Sequence, residues 1–287
     1  MISSEEIACK MVRLTSENFE NEMLEGLARD RIFAITELPE ELKKGINDLF
    51  KAGDHLFDNV HENPEGAFSD KNGHNETNGL HKVRKYKFGC NNGSRFFITF
   101  KNNTITNETM PQFGDDSLMA DAAKEFDTHT DVIINKIATT IAKSLSISTD
   151  EMVNAHIGES YVCLTRYYPI TQKRIAQMFQ DKILQVDDKS ILQFVPHYDA
   201  TPMTLMAYRG DIRGLMGQDH DTKEYKKITV NSGGEPCLLV FTGITLKELT
   251  NGWVKPLKHQ VVTTAEEQRF EAMRSSNEWR FTVSKFV

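Results

Sequence analysis

The chain has 287 residues, 39% of them apolar and 26% charged, which fits a soluble globular protein of one large domain or two small ones. A formal net charge of −7 argues against broad nucleic-acid or anionic-membrane binding, since both want a basic face. Four cysteines, Cys9, Cys90, Cys163 and Cys237, lie far apart with no C-x-x-C, so neither a disulfide framework nor a zinc knuckle is indicated.

The opening MISSEEIACKMVRL has no apolar leader, and no run of ~18 apolar residues follows anywhere, so a cytoplasmic protein is expected. Residues 1 to about 60 read as helical with one short strand. ENEMLEGLARD repeats apolar residues at helical spacing, RIFAITEL is a strand, and PEELKKGINDLFKAGDHLF is amphipathic with proline in its first turn. Residues 61–114 are polar and rich in Gly and Asn, with HKVRKYKF and SRFFITF as candidate strands; the segment reads as a solvated connection or as a binding loop or lid over a substrate. From 115 to 146, Met119, Ala122, Phe126, Thr130, Ile133, Ile137 and Ile141 recur every three or four residues and predict a long helix. After about 155 short β-like runs follow one another: ESYVCLTRYY, ILQFVPHYD, MTLMAYRG, YKKITV, PCLLVFTG, HQVVTT and WRFTVSKFV. Many short strands at this spacing predict a barrel or jelly roll. The expected class is therefore mixed α+β with a mainly β core. Residues 1–150 form a helical and mixed N-terminal region, and 151–287 form the β core of one structural unit.

Two His-x-Asp pairs compete for a metal. His129 and Asp131 lie inside the long predicted helix, where residues two apart are about 200° apart around the axis and leave opposite faces. They read as a histidine beside the apolar stripe and a solvated aspartate. His197 and Asp199 follow ILQFVP at a strand end, where residues two apart share one face. His259, sixty residues beyond Asp199, opens another β-like run in VKPLKHQVV. Two histidines and a carboxylate make the facial set of non-haem Fe(II) oxygenases, which leaves positions open for substrate or co-substrate and O2. Near the end, WRFTVSKFV places Arg280, Thr282, Ser284 and Phe286 on one strand face. An arginine with a hydroxyl two residues on is a receptor for a carboxylate.

With these motifs in order, LTRYYP, PHYDATPMTLMAY, IRGLM, LLVFTGITLKELTNGWVKPLKHQVV and RFTVSKF, the chain from about 160 to 287 resembles the isopenicillin N synthase-like branch of the Fe(II)/2-oxoglutarate-dependent oxygenases. LARDRIFAITELPEELKKGINDLFKAGDHLF is similar to the family's opening helix–strand–helix. The resemblance implies a double-stranded β-helix, or jelly roll, with N-terminal helices and the long helix packed outside it. It implies Fe(II) on His197, Asp199 and His259. It also implies 2-oxoglutarate as co-substrate, its distal carboxylate on Arg280 and Thr282, with Tyr168 helping to hold it. The implied reaction uses O2 for oxidative decarboxylation of 2-oxoglutarate and hydroxylation, desaturation or ring closure of a small molecule.

Several positions depart from the family pattern. Gln260 stands where Arg usually follows the distal histidine, and Thr282 where Ser is usual. The interval from His259 to Arg280 is longer than the family's and holds AEEQRFEAMRSSNE, an inserted helix. Arg269 and the formal R-x-S of Arg274 lie in that insert, and neither leads into a strand. Many relatives continue past the last strand with a helical tail; here a more open site, or one covered by residues 61–114, is expected. HKVRKYKF is the most basic stretch. It reads as a charged edge strand or as a substrate-facing one, with Arg84 and Tyr86, together with Arg166 of LTRYYP, contacting an acidic or peptide-like substrate. Two other readings stand beside the 2-oxoglutarate oxygenase: a synthase-type oxidase that uses no 2-oxoglutarate, and a jelly-roll binding protein without catalysis. A zinc hydrolase would also suit the ligand set, but no general base is evident.

Overall fold

From Glu159 onward, eight strands pass back and forth between two sheets. They are β7 (Glu159–Tyr167), β8 (Ser190–His197), β9 (Met203–Arg209), β10 (Leu215–Gln218), β11 (Tyr225–Thr229), β12 (Leu238–Thr242), β13 (His259–Thr264) and β14 (Phe281–Phe286). Strands β12, β9, β14 and β7 lie side by side in one sheet, and β11, β10, β13 and β8 in the other, each neighbouring pair antiparallel. This is the double-stranded β-helix that the sequence predicts. The structure is a computed structural model that describes residues 2–62, 79–82, 93–101, 104–105, 116–154, 159–167, 169–181, 185–209, 212, 214–274 and 280–287.

The N-terminal residues extend both sheets. Strands β2 (Lys10–Arg13) and β3 (Ile32–Thr36) continue the larger sheet beyond β12; β4 (Gly79–Lys82), β5 (Gly93–Lys101) and β6 (Thr104–Ile105) continue it beyond β7. Strand β1 (Ile2–Ala8) runs parallel to β11 in the smaller sheet. Both sheets therefore draw strands from before and after residue 150. The helical reading of the first residues missed β1 and β2, whose SSEEIACKMVRL carries no clean alternation, and the short β10 was also missed.

Two long helices, α2 (Glu40–Glu62) and α3 (Asp116–Leu145), cover the outer face of the larger sheet. A short helix, α1 (Phe19–Arg29), precedes β3. In α2, Leu42, Ile46, Leu49, Phe50, Leu56 and Phe57 recur at helical spacing and are buried against sheet residues such as Leu164, Phe281 and Val283. Burying one such side chain fully contributes about 1.5–3 kcal/mol. The helix comes close because residue 53 is glycine: a Cβ there would stand 2.3 Å from the Phe281 ring. A second core, with Leu239, Phe241, Met206 and Val261, fills the space between the sheets. The remaining helices are α4 (Thr149–Asn154), α5 (Gln172–Gln180), α6 (Ile244–Leu249) and α7 (Ala265–Ala272). Helix α7 is the predicted insert, closed at its start by a capping box between Thr264 and Glu267. No helix among the described residues is long and apolar enough to cross a membrane.

Candidate metal centre and carboxylate receptor

His197 ends β8, His259 opens β13, and the antiparallel register makes them direct partners. A β-bulge follows His259, between it and Val261, a device that re-aims side chains at the rim of a sheet. Asp199 lies two residues past the strand end. Its Oδ1 is 3.6 Å from His197 Nε2 and 4.0 Å from His259 Nε2. All three ligand atoms fall within 4.8 Å of one another, and no other such group of three occurs among the described residues. The far side of each ring is also fixed. His197 Nδ1 is 2.9 Å from the Val195 carbonyl, and His259 Nδ1 is 3.3 Å from that of Leu257. Each carbonyl accepts from a protonated Nδ1, which leaves the Nε2 lone pair for a metal. Phe194 and Phe241 flank the two imidazoles.

Asp199 is held from several directions. Thr204, in β9, donates through its hydroxyl to Asp199 Oδ2 at 2.5 Å, which turns Oδ1 toward the histidines. The Ile244 N–H donates to the Asp199 carbonyl, and the Gly243 N–H to that of Pro202, both at 2.8 Å. A Cβ on residue 243 would lie 1.8 Å from the Thr201 carbonyl oxygen, so only glycine permits this approach. Neither Thr204 nor Gly243 was singled out in the sequence. A threonine in a strand and a glycine before a helix are both too common to signal a role.

The alternation of β14 sorts its side chains between two environments. Phe281 and Val283 face the helices, and Lys285 reaches α3, where it is 2.7 Å from Asp127 and 2.5 Å from Asp131. By the period of two, Arg280, Thr282, Ser284 and Phe286 face the interior between the sheets. Thr282 sits level with Thr165 of β7 and Tyr208 of β9, so three hydroxyl residues form a row across three strands. Arg280, just before β14, lies with its guanidinium carbon 4.7 Å from the centre of the Tyr167 ring. At the other end of β14, Phe286 pairs with Thr204, so the interior face runs from Arg280 to the metal end of the barrel. Thr165 and Tyr208 are further residues that the sequence did not mark.

Arg166 is not brought to this site. It belongs to the opposite parity of β7 and points outward, fully buried, to Asp58 at 2.9 Å and Asp54 at 3.7 Å on α2. Its substrate role is replaced by a helix-docking one, which it shares with Arg209, bonded twice to Asp54 at 2.5 and 2.8 Å. Asp131 is also corrected: it pairs with Lys285 where solvation was expected, while His129 turns to Glu125 at 3.4 Å. Among the described residues the two side chains engage different partners. Gln260 is buried, its amide 3.8 Å from Met216 Sδ. Arg269 lies on α7 and Arg274 pairs with Glu271 just past it, so of the three candidates only Arg280 leads into a strand. Tyr168, Arg84, Tyr86 and most of 61–114 lie outside the described residues.

No family model and no curated protein matches the chain by sequence. Solved structures do match it. A full-length Neurospora crassa protein in complex with alpha-KG and thymine superposes with a TM-score of 0.70 at 13% identity, over 98% of this chain and 85% of that one. JOX2 in complex with 2OG, Fe and JA gives 0.69 at 12%, over 98% and 75%. The Arabidopsis thaliana dioxygenase for auxin oxidation, with 2-oxoglutarate, gives 0.63 at 12%, over 97% and 91%. The chain thus has the jelly-roll fold of the Fe(II)/2-oxoglutarate oxygenases.

Proposed function

We propose that this protein is a non-haem Fe(II) oxygenase that couples oxidative decarboxylation of 2-oxoglutarate to oxidation of a small-molecule substrate. The observation that carries this reading is the cross-strand pair His197–His259 with Asp199 between their Nε2 atoms. Two neutral imidazoles and one carboxylate fit Fe(II) and leave coordination positions for co-substrate and O2. Bound there, the iron supplies the redox chemistry that activates O2.

The rest falls to the protein's own residues. Arg280 and Thr282, with Thr165 and Tyr208 beside them, bind the distal carboxylate of 2-oxoglutarate. The carbonyls of Val195 and Leu257 hold the imidazole tautomers, and Thr204 holds the carboxylate. Phe194, Phe241 and the apolar interior exclude water from the reacting groups. In the overall balance O2 takes up four electrons: two from 2-oxoglutarate, as one oxygen atom enters succinate and CO2 leaves, and two from the substrate, the other oxygen atom ending in the product or in water. The basic stretch with Arg84 and Tyr86 supports an acidic substrate. The three described cysteines are buried free thiols, which supports a reducing, cytoplasmic location.

The test is to add Fe(II) and then 2-oxoglutarate to the apo-protein without oxygen and record the visible charge-transfer band. A band that needs both additions and is lost in His197→Ala supports the proposal. Iron binding with no band would transfer the Arg280 receptor to a substrate carboxylate. Failure to bind iron would overturn the triad.

A further inference from the structure

A cavity of about 430 Å³ opens beside the metal centre. It lies among the loops at the same end of the barrel: the segment after β8, the turn between β10 and β11, and the connection from β12 to β13. None of the three triad residues lines it. Tyr198 does, because it sits between His197 and Asp199 and leaves the chain on the opposite face. Its volume is in the usual range for small-ligand sites.

The walls are strongly basic in a chain of net charge −7. Arg31, Lys223, Lys247, Lys255 and Lys258 all line the cavity, against one carboxylate, Asp219. That carboxylate is already engaged: Lys226 is 3.0 Å away, and the backbone N–H groups of Asp221 and Thr222 donate to it. Four cations on flexible stems would ordinarily be read as solvated surface. Arg31 is different. It is only 8% exposed, and the acidic groups that act on it from a distance, Asp221, Asp219 and Asp30, form no ion pair with it among the described residues. Its backbone is unusual too. Arg31 follows the C-terminal end of α1 at φ 61°, the left-handed position that glycine takes at least cost. A buried, permanently charged fork at a position that favours glycine calls for a partner.

We propose that this cavity binds a small phosphate-bearing ligand, with the Arg31 guanidinium as its buried anchor and Lys247, Lys255 and Lys258 as its charge rim. A phosphate group carries close to two negative charges and several acceptor oxygens, which suits a crowd of mutually repelling cations better than a single carboxylate does. Burial pulls the Arg31 pKa down against the opposing pull of Asp221, Asp219 and Tyr198, the cost of leaving the guanidinium without a close anion.

The experiment titrates the metal-free full chain with inorganic phosphate, and separately with citrate, at fixed ionic strength by calorimetry. Saturable phosphate binding is expected, weakened about tenfold or more in Arg31→Gly. The thermal midpoint of that variant should hold or rise, because glycine suits the backbone there. Lys258→Gln should weaken phosphate binding without touching that backbone. Unchanged affinity in Arg31→Gly, citrate binding tighter than phosphate, or no saturable phosphate binding would each overturn the proposal. The titration contains no iron, so its failure leaves the oxygenase reading standing, and the reverse holds.

Discussion

Thr204 and Gly243 show how much of a metal centre lies outside its ligands. Thr204 is almost fully buried, and its hydroxyl bond to Asp199 Oδ2 leaves Oδ1 for the metal. Thr204→Val keeps the shape and removes the donor. Fe(II) affinity should fall about 10–100-fold in an anaerobic titration, as outer-shell losses typically do, and Thr204→Ser should restore most of it. A purely structural role would instead lower the melting temperature with affinity intact. Gly243→Ala acts on the same carboxylate from the backbone side. The added Cβ meets the Thr201 carbonyl at 1.8 Å and the Asp199 carbonyl at 2.8 Å, so the segment carrying Asp199 must move. Both iron affinity and stability should drop, read by titration and by thermal denaturation. Wild-type iron affinity in this variant would show that the segment tolerates displacement. The ligands themselves were readable in the sequence, because His197 and Asp199 share a strand parity and His259 opens a second strand. Their supports were not: Thr204 meets Asp199 only through the way the turn from β8 into β9 folds back, and Gly243 and Ile244 reach the same turn from the distant β12–α6 segment.

Among the elements, parity decides what the sequence could reveal. The apolar periods of α2 and α3 and the alternation of β7 to β14 were readable because each element buries one face. Arg166 was misassigned because its side of β7, with Val162 and Leu164, looks onto α2, whereas Cys163, Thr165 and Tyr167 look inward. The acidic partners Asp54 and Asp58, one helical turn apart, were the available signal. Lys285 makes a parallel contact to α3, buried between Asp127 and Asp131. Lys285→Met leaves Asp127 buried without its cation and should cost about 3–5 kcal/mol in urea unfolding. Adding Asp127→Leu should recover a large part of that loss, because removing both members spares the desolvation cost of the orphaned charge. If the double variant is no better than the single one, the pair fixes the helix position and not merely its own charge.

At the scale of the whole molecule, residues 2–13 join what the jelly roll keeps apart. β1 covers the edge of the smaller sheet, with Ile7 opposite Ile228, and β2 covers the edge of the larger one, with Val12 opposite Ile35. Ile7 and Cys9 enter the core between the sheets, while Val12 enters the core under the helices. Both pairings are parallel and link distant residues, which is why local pattern could not announce them. Removing this segment would expose two strand edges, a recognised route to association. Cys9 offers a gentler probe. Burial pushes its thiol up from 9.0 to about 12. The folded value lies above the unfolded one, so the unfolded chain gives up its proton first. Stability should therefore be intact below pH 9 and decline as pH rises from there toward 12. At pH 8 the buried thiol has almost no thiolate, so alkylation of Cys9 can proceed only as fast as the strap opens. Mass-spectrometric labelling should find Cys9 protected in the native protein and reactive after Val12→Asp, which weakens the β2 anchor without touching the thiol. Labelling of native Cys9 at the rate of a free thiol would mean that the strap is not closed in solution and that both sheet edges are covered by something else.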